Sequence, residues 1–358
     1  MCKVYNQIGS LTAIKAHLHE HNVNEYKSVN ELINFQKNYS VERQQIISNH
    51  KFLIEQEKST LSDAIAQLDD TIKVQKTAVE QQLLSDLINL KHQLANLPLV
   101  HSNIIQALLN YGKKIGLKHK IKNNEAAFDF KIADSLKHLT EDYNQKNSRN
   151  KYIASSFDDA VMESCLPQLG ELDRKKRIID QVNSSIYGAL GEQKVVRELE
   201  KLAEDCILIN DFTCKFHPAI YNRQENDYIK SVQIDHILLS PSGIFLIETK
   251  NWSQHSLNDS SLYSPVRQIK RTNFALYKIL NGEISGAKLP LTKHHWGNRK
   301  IPIKNLIVLT NQKPIEEFQY VKILTLNDLL GYLHYFKPCF STNETQKIAN
   351  YLLNFSGN

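Results

Sequence analysis

The chain has 358 residues, 41 % of them hydrophobic and 23 % charged, with 12 glycines, 9 prolines and a formal net charge of +6. That length exceeds the roughly 100–200 residues usual for one domain and points to two folding units, while the composition argues against wholesale disorder, a collagen-like chain or a disulfide scaffold. The longest apolar runs, such as Ile244 to Ile247, fall far short of the roughly 20 residues needed to cross a bilayer, so no membrane segment is expected.

Met1 to Leu11 holds one lysine and no apolar core of signal-peptide length, which makes a cytoplasmic address the expectation. The five cysteines form no C-x-x-C pair and are odd in number, which fits reduced, buried thiols better than zinc or disulfides. Between Met1 and Cys165 there are three glycines and only Pro98 among prolines, so this half is built to be helical. Ser28 followed by Glu31 reads as a capping box. Apolar residues then recur seven apart at Ile47, Ile54, Leu61 and Leu68, with Ile65, Ile72 and Val79 as a companion seam. The spacing shifts after Val79, where Leu83, Leu87, Leu90, Leu94 and Leu97 follow at fours and threes.

A coiled coil or helical hairpin that buries its own stripe accounts for this pattern, and its functional reading is contact with a partner or a second copy of the chain, a homo-oligomer. Gly112 and Gly116 among Lys113, Lys114, Lys118, Lys120 and Lys122 suggest a basic turn between helices. Further helices are expected around Phe128 to Tyr143 and from Phe157 to Gln181.

From about Ile186 the pattern changes. Gly188 and Gly191 open a helix through Leu202, and short β-branched runs follow, giving strands near Cys206–Asn210, Val232–Leu239, Gly243–Lys250 and Asn305–Thr310. Helices are expected from Pro265, suited to a first turn, to Leu280 and again after Asn327. The order is that of an α/β domain with a mixed central sheet, at residues 181–358, preceded by a long helical module at residues 1–180.

Ser240-Pro241-Ser242-Gly243 is turn chemistry, so the runs on either side pair as a hairpin and bring Asp235 and Glu248 onto neighbouring strands. Side chains alternate with period two, so Glu248 and Lys250 share a face that Thr249 does not. Ionisable groups at the ends of apolar strands are costly unless paired with one another or with a cation. Two carboxylates suit Mg²⁺ or Mn²⁺, which also accept phosphate oxygens. Glu-x-Lys itself is weak evidence, since Glu25/Lys27 and Glu192/Lys194 share the spacing in helical surroundings. By pattern alone a structural ion pair and a metal site stay equally open.

Gly191-Glu192 at a helix start, Gln233-Ile234-Asp235-His236, Gly243-Ile244-Phe245, Ile247-Glu248-Thr249-Lys250-Asn251-Trp252 and Pro265-Val266-Arg267-Gln268 together resemble the nuclease-related domain, NERD, a branch of the PD-(D/E)XK nuclease superfamily, over roughly Ser185 to Leu333. The resemblance implies a restriction-endonuclease-like sheet flanked by helices, and phosphodiester hydrolysis assisted by a divalent cation. On the matching positions, Asp235, Glu248 and the Thr249 carbonyl would be metal ligands. Lys250 would orient or activate the attacking water, Glu192 would reach the site from the domain's first helix, and Gln268 would contact site or substrate. The helical half matches no family, which leaves recruitment and regulation open.

Charge adds a second line of support. Lys250 to Lys304 holds ten Lys/Arg, among them Arg267, Lys270, Arg271 and Lys278, against Asp259 and Glu283, a net +8, with Tyr263, Trp296, His255, His294 and His295 interleaved. A solvated surface is the ordinary reading of such a run; beside an acidic metal site it favours a nucleic-acid groove. His236 points to the opposite face and reads as a packing residue, Trp252 as a core or edge aromatic, and Glu192 serves equally as a dipole partner at a helix start. No G-x-x-x-x-G-K-[ST] run is present, so any motor or sensor would be a separate protein. The resulting expectation is a nuclease acting on nucleic acid, DNA rather than RNA by resemblance, in restriction of foreign DNA such as phage genomes. The alternatives are a non-catalytic nucleic-acid-binding protein and a coiled-coil scaffold.

Overall fold

The computed structural model describes residues 1–98, 104–252, 262–284, 289, 291, 301–311 and 316–355. It separates into two compact units, one made of residues 1–39 with 173–358 and the other of residues 40–172.

The first unit is built on a mixed six-stranded sheet ordered β1 to β6. Its strands are β1 (Lys3–Tyr5), β2 (Ile207–Asn222), β3 (Asp227–Ser240), β4 (Gly243–Lys250), β5 (Ile303–Leu309) and β6 (Val321–Thr325). The β2–β3 and β3–β4 pairs are antiparallel, and the β1–β2, β4–β5 and β5–β6 pairs are parallel. Strand β4 is buried along nearly its whole length, as its unbroken apolar run demands. Its even-numbered residues Ile244 and Leu246 join a core closed by helix α7 (Tyr263–Leu280) and α9 (Thr342–Leu353). Its odd-numbered residues Phe245 and Ile247 pack on the other side against α6 (Asn183–Leu199) and α8 (Leu329–His334). The α/β layering expected from the sequence is therefore present.

The β3–β4 turn is the expected one. Ser240 pairs with Gly243 across Pro241-Ser242, and Gly243 has φ +134°, where a Cβ would also stand 3.1 Å from the Pro302 carbonyl. Two strands, β1 and β6, escape the sequence reading. Strand β1 pairs with β2 across some two hundred residues, and helix α1 (Gly9–Glu20) packs on α6. Residues 1–39 thus lie with the sheet unit, whereas the sequence suggests one helical module running from residue 1 to 180.

The second unit takes most of α2 (Val29–Ala95), with α3 (Ile104–Ala126), α4 (Phe128–Ser155) and the first part of α5 (Phe157–Gln181). The heptad residues Ile47, Ile54 and Leu61 pack against Ile153, Ala160 and Val161 of the same chain, so this part of the seam is satisfied internally. The expected basic turn at Gly112 and Gly116 is not formed. Both lie inside α3, with nothing within 4 Å of a Cβ placed on either. A helical glycine costs only about 1 kcal/mol relative to alanine, which good helix formers on either side offset. No described helix is long and apolar enough to cross a membrane.

Candidate active site

The β3–β4 ladder ends at the pair His236 and Ile247. One step further in the same register, Asp235 stands opposite Glu248, but the ladder is replaced there by a side-chain bond. The backbone N–H of Thr249 donates to Asp235 Oδ2 at 2.7 Å. Beyond this point β4 keeps its pairing with β5 only, Glu248 opposite Ile307 and Lys250 opposite Leu309. The strands fork, and the fork holds the charged groups.

Glu248 is 2 % exposed and both its oxygens are engaged. Lys250 Nζ donates to Oε1 at 2.7 Å, and Gln268 Nε2, reaching in from α7, donates to Oε2 at 3.4 Å. Asp235 is partly accessible, and its Oδ1 makes no hydrogen bond among the described residues. Glu192 enters from α6, which can approach β4 because Gly191 has no side chain; a Cβ there would lie 2.7 Å from Asn251 Cβ and 3.3 Å from Thr249 Cγ2. Glu192 is 6 % exposed, and its Oε2 is buried with no hydrogen-bond partner among the described residues.

Two further residues belong to this cluster and were not legible in the sequence. Ser10, in the first turn of α1, hydrogen-bonds to Glu192 Oε1 through its hydroxyl and supports the same carboxylate through its backbone. Ile8, the residue before α1, supplies no side-chain cap, so Glu192 provides the acceptor that the helix start would otherwise lack. Asp211 stands in the gap of the β2–β3 ladder between the pairs Asn210/His236 and Phe212/Ile234, which places it opposite Asp235. It holds φ +47°, accepts a hydrogen bond from Gln233 Nε2 at 2.8 Å, and lies 2.6 Å from where a Cβ on Gly9 would be. The Asn-Asp pair looks like the end of a strand in sequence; in the fold it is an irregularity within a longer one.

Like charges gathered out of water raise one another's proton affinity. Burial, with the neighbouring Asp235 carboxylate, pushes Glu192 up to about 7 against the hydrogen bonds from Ser10. Burial and Glu248 likewise raise Asp235. Glu248 is raised by burial despite Lys250 and with help from Glu192. Burial works to lower Lys250, yet Glu248, followed by Asp235 and Glu192, holds its ammonium above the usual value. Among the described residues no group of three or more His, Cys, Asp or Glu is arranged to hold a metal ion unaided. Asp235 Oδ1 and Glu192 Oε2, without a partner among the described residues, and Glu248 Oε2, held only by the 3.4 Å contact from Gln268, are hard oxygens in a patch whose repulsion a cation would relieve. That fits Mg²⁺ or Mn²⁺, which keep water and substrate phosphate among their ligands.

The remaining residues divide. His236 is fully buried on the opposite face, with Nδ1 2.8 Å from Asn210 Oδ1, and burial pushes it down to about 3, so it is a neutral packing histidine. Trp252 packs at the edge of the main core. On α7, Arg271 is paired with Asp227 at 3.0 Å and Lys278 with Glu283, whereas Arg267 and Lys270 make no ion pair among the described residues. Lys304 turns inward over the rings of Phe245 and Phe336, at 5.0 and 4.1 Å from their centroids. Lys288, Lys293, Arg299, Lys300, Asp259, His255, His294, His295 and Trp296 lie outside the described residues.

No curated protein and no solved structure matches the chain. Residues 187–310 match a family model, and that segment contains the Glu192 helix, the forked strands, and Gln268. The PD-(D/E)XK superfamily is consistent with the match. Within a chain that has its own helical unit and an amino-terminal segment outside the matched residues, the segment 187–310 matches the model of the nuclease-related domain, NERD.

Proposed function

We propose that this protein is a divalent-metal-dependent nuclease that hydrolyses phosphodiester bonds in nucleic acid at the fork of β3 and β4. One observation carries the reading: Asp235, Glu248, Lys250, Glu192 and Gln268, drawn from two strands and two helices, converge where the ladder ends and leave two carboxylate oxygens without a partner among the described residues. A merely structural network pairs its buried charges completely.

Asp235, Glu248 and the Thr249 carbonyl would hold Mg²⁺ or Mn²⁺. A bound ion of that kind supplies Lewis acidity to the phosphate and eases ionisation of the attacking water. The chain's own groups do the rest. Lys250 Nζ, fixed by Glu248 Oε1, directs a donor to the attacking water or the phosphate oxygen. Gln268 keeps Glu248 from rotating out of line. Glu192 Oε2, with a proton affinity near neutrality, suits acceptance of the water's proton.

The substrate on this reading is DNA, and the role is restriction of foreign DNA such as phage genomes, in the cytoplasm, with any motor or sensor on a separate chain. Arg267 and Lys270 are the phosphate contacts with no competing ion pair among the described residues. Self-association through the helical unit accompanies the reading, supported by exposed apolar side chains such as Leu84, Ile88, Ile104 and Leu108. The test is incubation of purified protein with linear and circular DNA, with Mg²⁺, with Mn²⁺ and with EDTA. Cleavage that needs the metal and disappears in Asp235→Ala is expected. Binding without any cleavage would make the protein a non-catalytic nucleic-acid-binding one instead.

A further inference from the structure

Helix α7 carries a stripe separate from its site-facing Gln268. Tyr263, Arg267, Lys270, Phe274 and Tyr277 recur at steps of four, three, four and three, which aligns them along one face. They form one wall of a cavity of about 610 Å³, a size typical of small-ligand sites. Tyr320, 78 % exposed, stands on another wall, and Asn222, Gln224 and Gln319 line the cavity too. A second cavity of about 340 Å³ shares Arg267, Arg271 and Asp227 with it and reaches Gln233 and Gln268, whose amides touch Asp211 and Glu248. The two cavities therefore share a wall, and the smaller one borders residues that reach the forked strands.

The wall that bears Tyr320 is built rather than incidental. Its φ is +66°, a left-handed conformation uncommon for an aromatic residue. Asn273 Nδ2 on α7 donates to Asn305 Oδ1 on β5 at 2.8 Å, and Asn305 Nδ2 donates to the Tyr320 carbonyl at 3.0 Å. Asn305 is 8 % exposed, so this relay is held inside the protein. The fold thus holds a tyrosine ring in solvent on a left-handed backbone tied down by a buried amide, on the cavity that Arg267 and Lys270 also line.

Resting on the nuclease reading, we infer that this cavity receives an unpaired nucleobase of the strand whose phosphate lies at Asp235 and Glu248, so that the substrate is single-stranded or carries an unpaired end. Tyr320 and Tyr277 offer ring faces for stacking, Gln224 and Gln319 offer amides to a base edge, and Arg267 with Lys270 hold the connecting phosphates. A base within a duplex has both faces covered and cannot enter a concave pocket of this kind. Asp227 is neutralised by Arg271, and Glu225 on the rim keeps the phosphates on the Arg267 side.

The test uses the full chain in EDTA, so that binding is read without cleavage. Fluorescence anisotropy is measured with a labelled oligothymidine and with a blunt hairpin duplex of the same length. Tyr320→Ala and Tyr277→Ala are each expected to weaken oligothymidine binding about tenfold, the scale of one lost base stack, and to change duplex binding less than twofold. Tyr320→Phe keeps the ring and should bind as the wild type does, with equal thermal melting of all variants as the control for folding. Unchanged single-strand affinity in both alanine variants, an equal loss for both ligands, or no oligothymidine binding by the wild type overturns the assignment. A parallel cleavage assay separates it from the nuclease reading: metal-dependent cleavage with indifferent tyrosines removes the pocket alone, and selective single-strand binding without cleavage removes the nuclease alone.

Discussion

The two units treat charge in opposite ways. In the helical unit acids and bases meet as exposed partners on the same or adjacent helices, as in Lys76 with Glu80 or Arg149 with Glu57, where Arg149 holds the Glu57 carboxyl below its ordinary range. At the fork of the sheet unit three carboxylates, Glu192, Asp235 and Glu248, act on one lysine with Asp211 beside them, and burial raises all three. Local helix stabilisation explains the first arrangement. The second costs folding free energy, a cost that the proposed function explains by cation and phosphate binding.

The sharpest way to break that comparison is to remove a site carboxylate. Asp235→Ala or Glu248→Ala should lower metal-dependent cleavage by at least about a thousandfold, the scale of losing a principal charge-stabilising group. DNA affinity in EDTA should stay within about twofold, because the basic face of α7 is untouched. Retained cleavage in either variant would return the fork to a structural role. Lys250→Ala comes next, with a loss of about a hundredfold in rate and little change in the Mg²⁺ concentration needed for half activity. Equal turnover in that variant removes Lys250 from the mechanism.

Glu192 tests the cost itself. Its carboxyl is raised from an ordinary 4.5 to about 7, so between those values the unfolded chain has released a proton that the folded chain still holds. Stability of the metal-free protein therefore falls as pH climbs through that window, by on the order of 3 kcal/mol from this group. Glu192→Gln should melt higher than the wild type at pH 8 in EDTA and alike at pH 4.5, and Mg²⁺ should raise the wild-type melting temperature at pH 8. A variant that melts lower at pH 8 would show that Glu192 stabilises the fold. Ser10→Ala acts on the same carboxyl from α1. It removes a hydrogen bond that favours the charged form, so the acidic limb of the cleavage profile should move up by about one pH unit. An unmoved limb would leave Ser10 a helix-end residue only.

How much of this was legible follows from chain separation. The hairpin, the Asp235–Glu248 register and the shared face of Lys250 come from turn chemistry and period-two alternation, which act over a few residues. Gln268 carries no local mark, and its approach to Glu248 was expected only through resemblance. Strand β1, Ser10 and Asp211 were invisible because their meaning lies in partners far away in sequence; a three-residue strand has no periodicity to read. Gly112 and Gly116 misled for the converse reason, since a local breaker is overruled by a strong helical context.

The smallest effect belongs to the helical unit and completes the contrast. Arg149 grips Glu57 with two parallel hydrogen bonds, Nε to Oε1 at 2.8 Å and Nη2 to Oε2 at 3.0 Å, yet both side chains are more than a third exposed. Water screens such a pair, so Arg149→Ala should cost only about 0.5–1 kcal/mol, with a difference from the wild type that shrinks in high salt. Cleavage should be unchanged. A loss of several kcal/mol, or one indifferent to salt, would mean that ion pairs in the helical unit are as consequential as the buried carboxylates, and the division between a scaffold of satisfied charges and a site of unsatisfied ones would not hold.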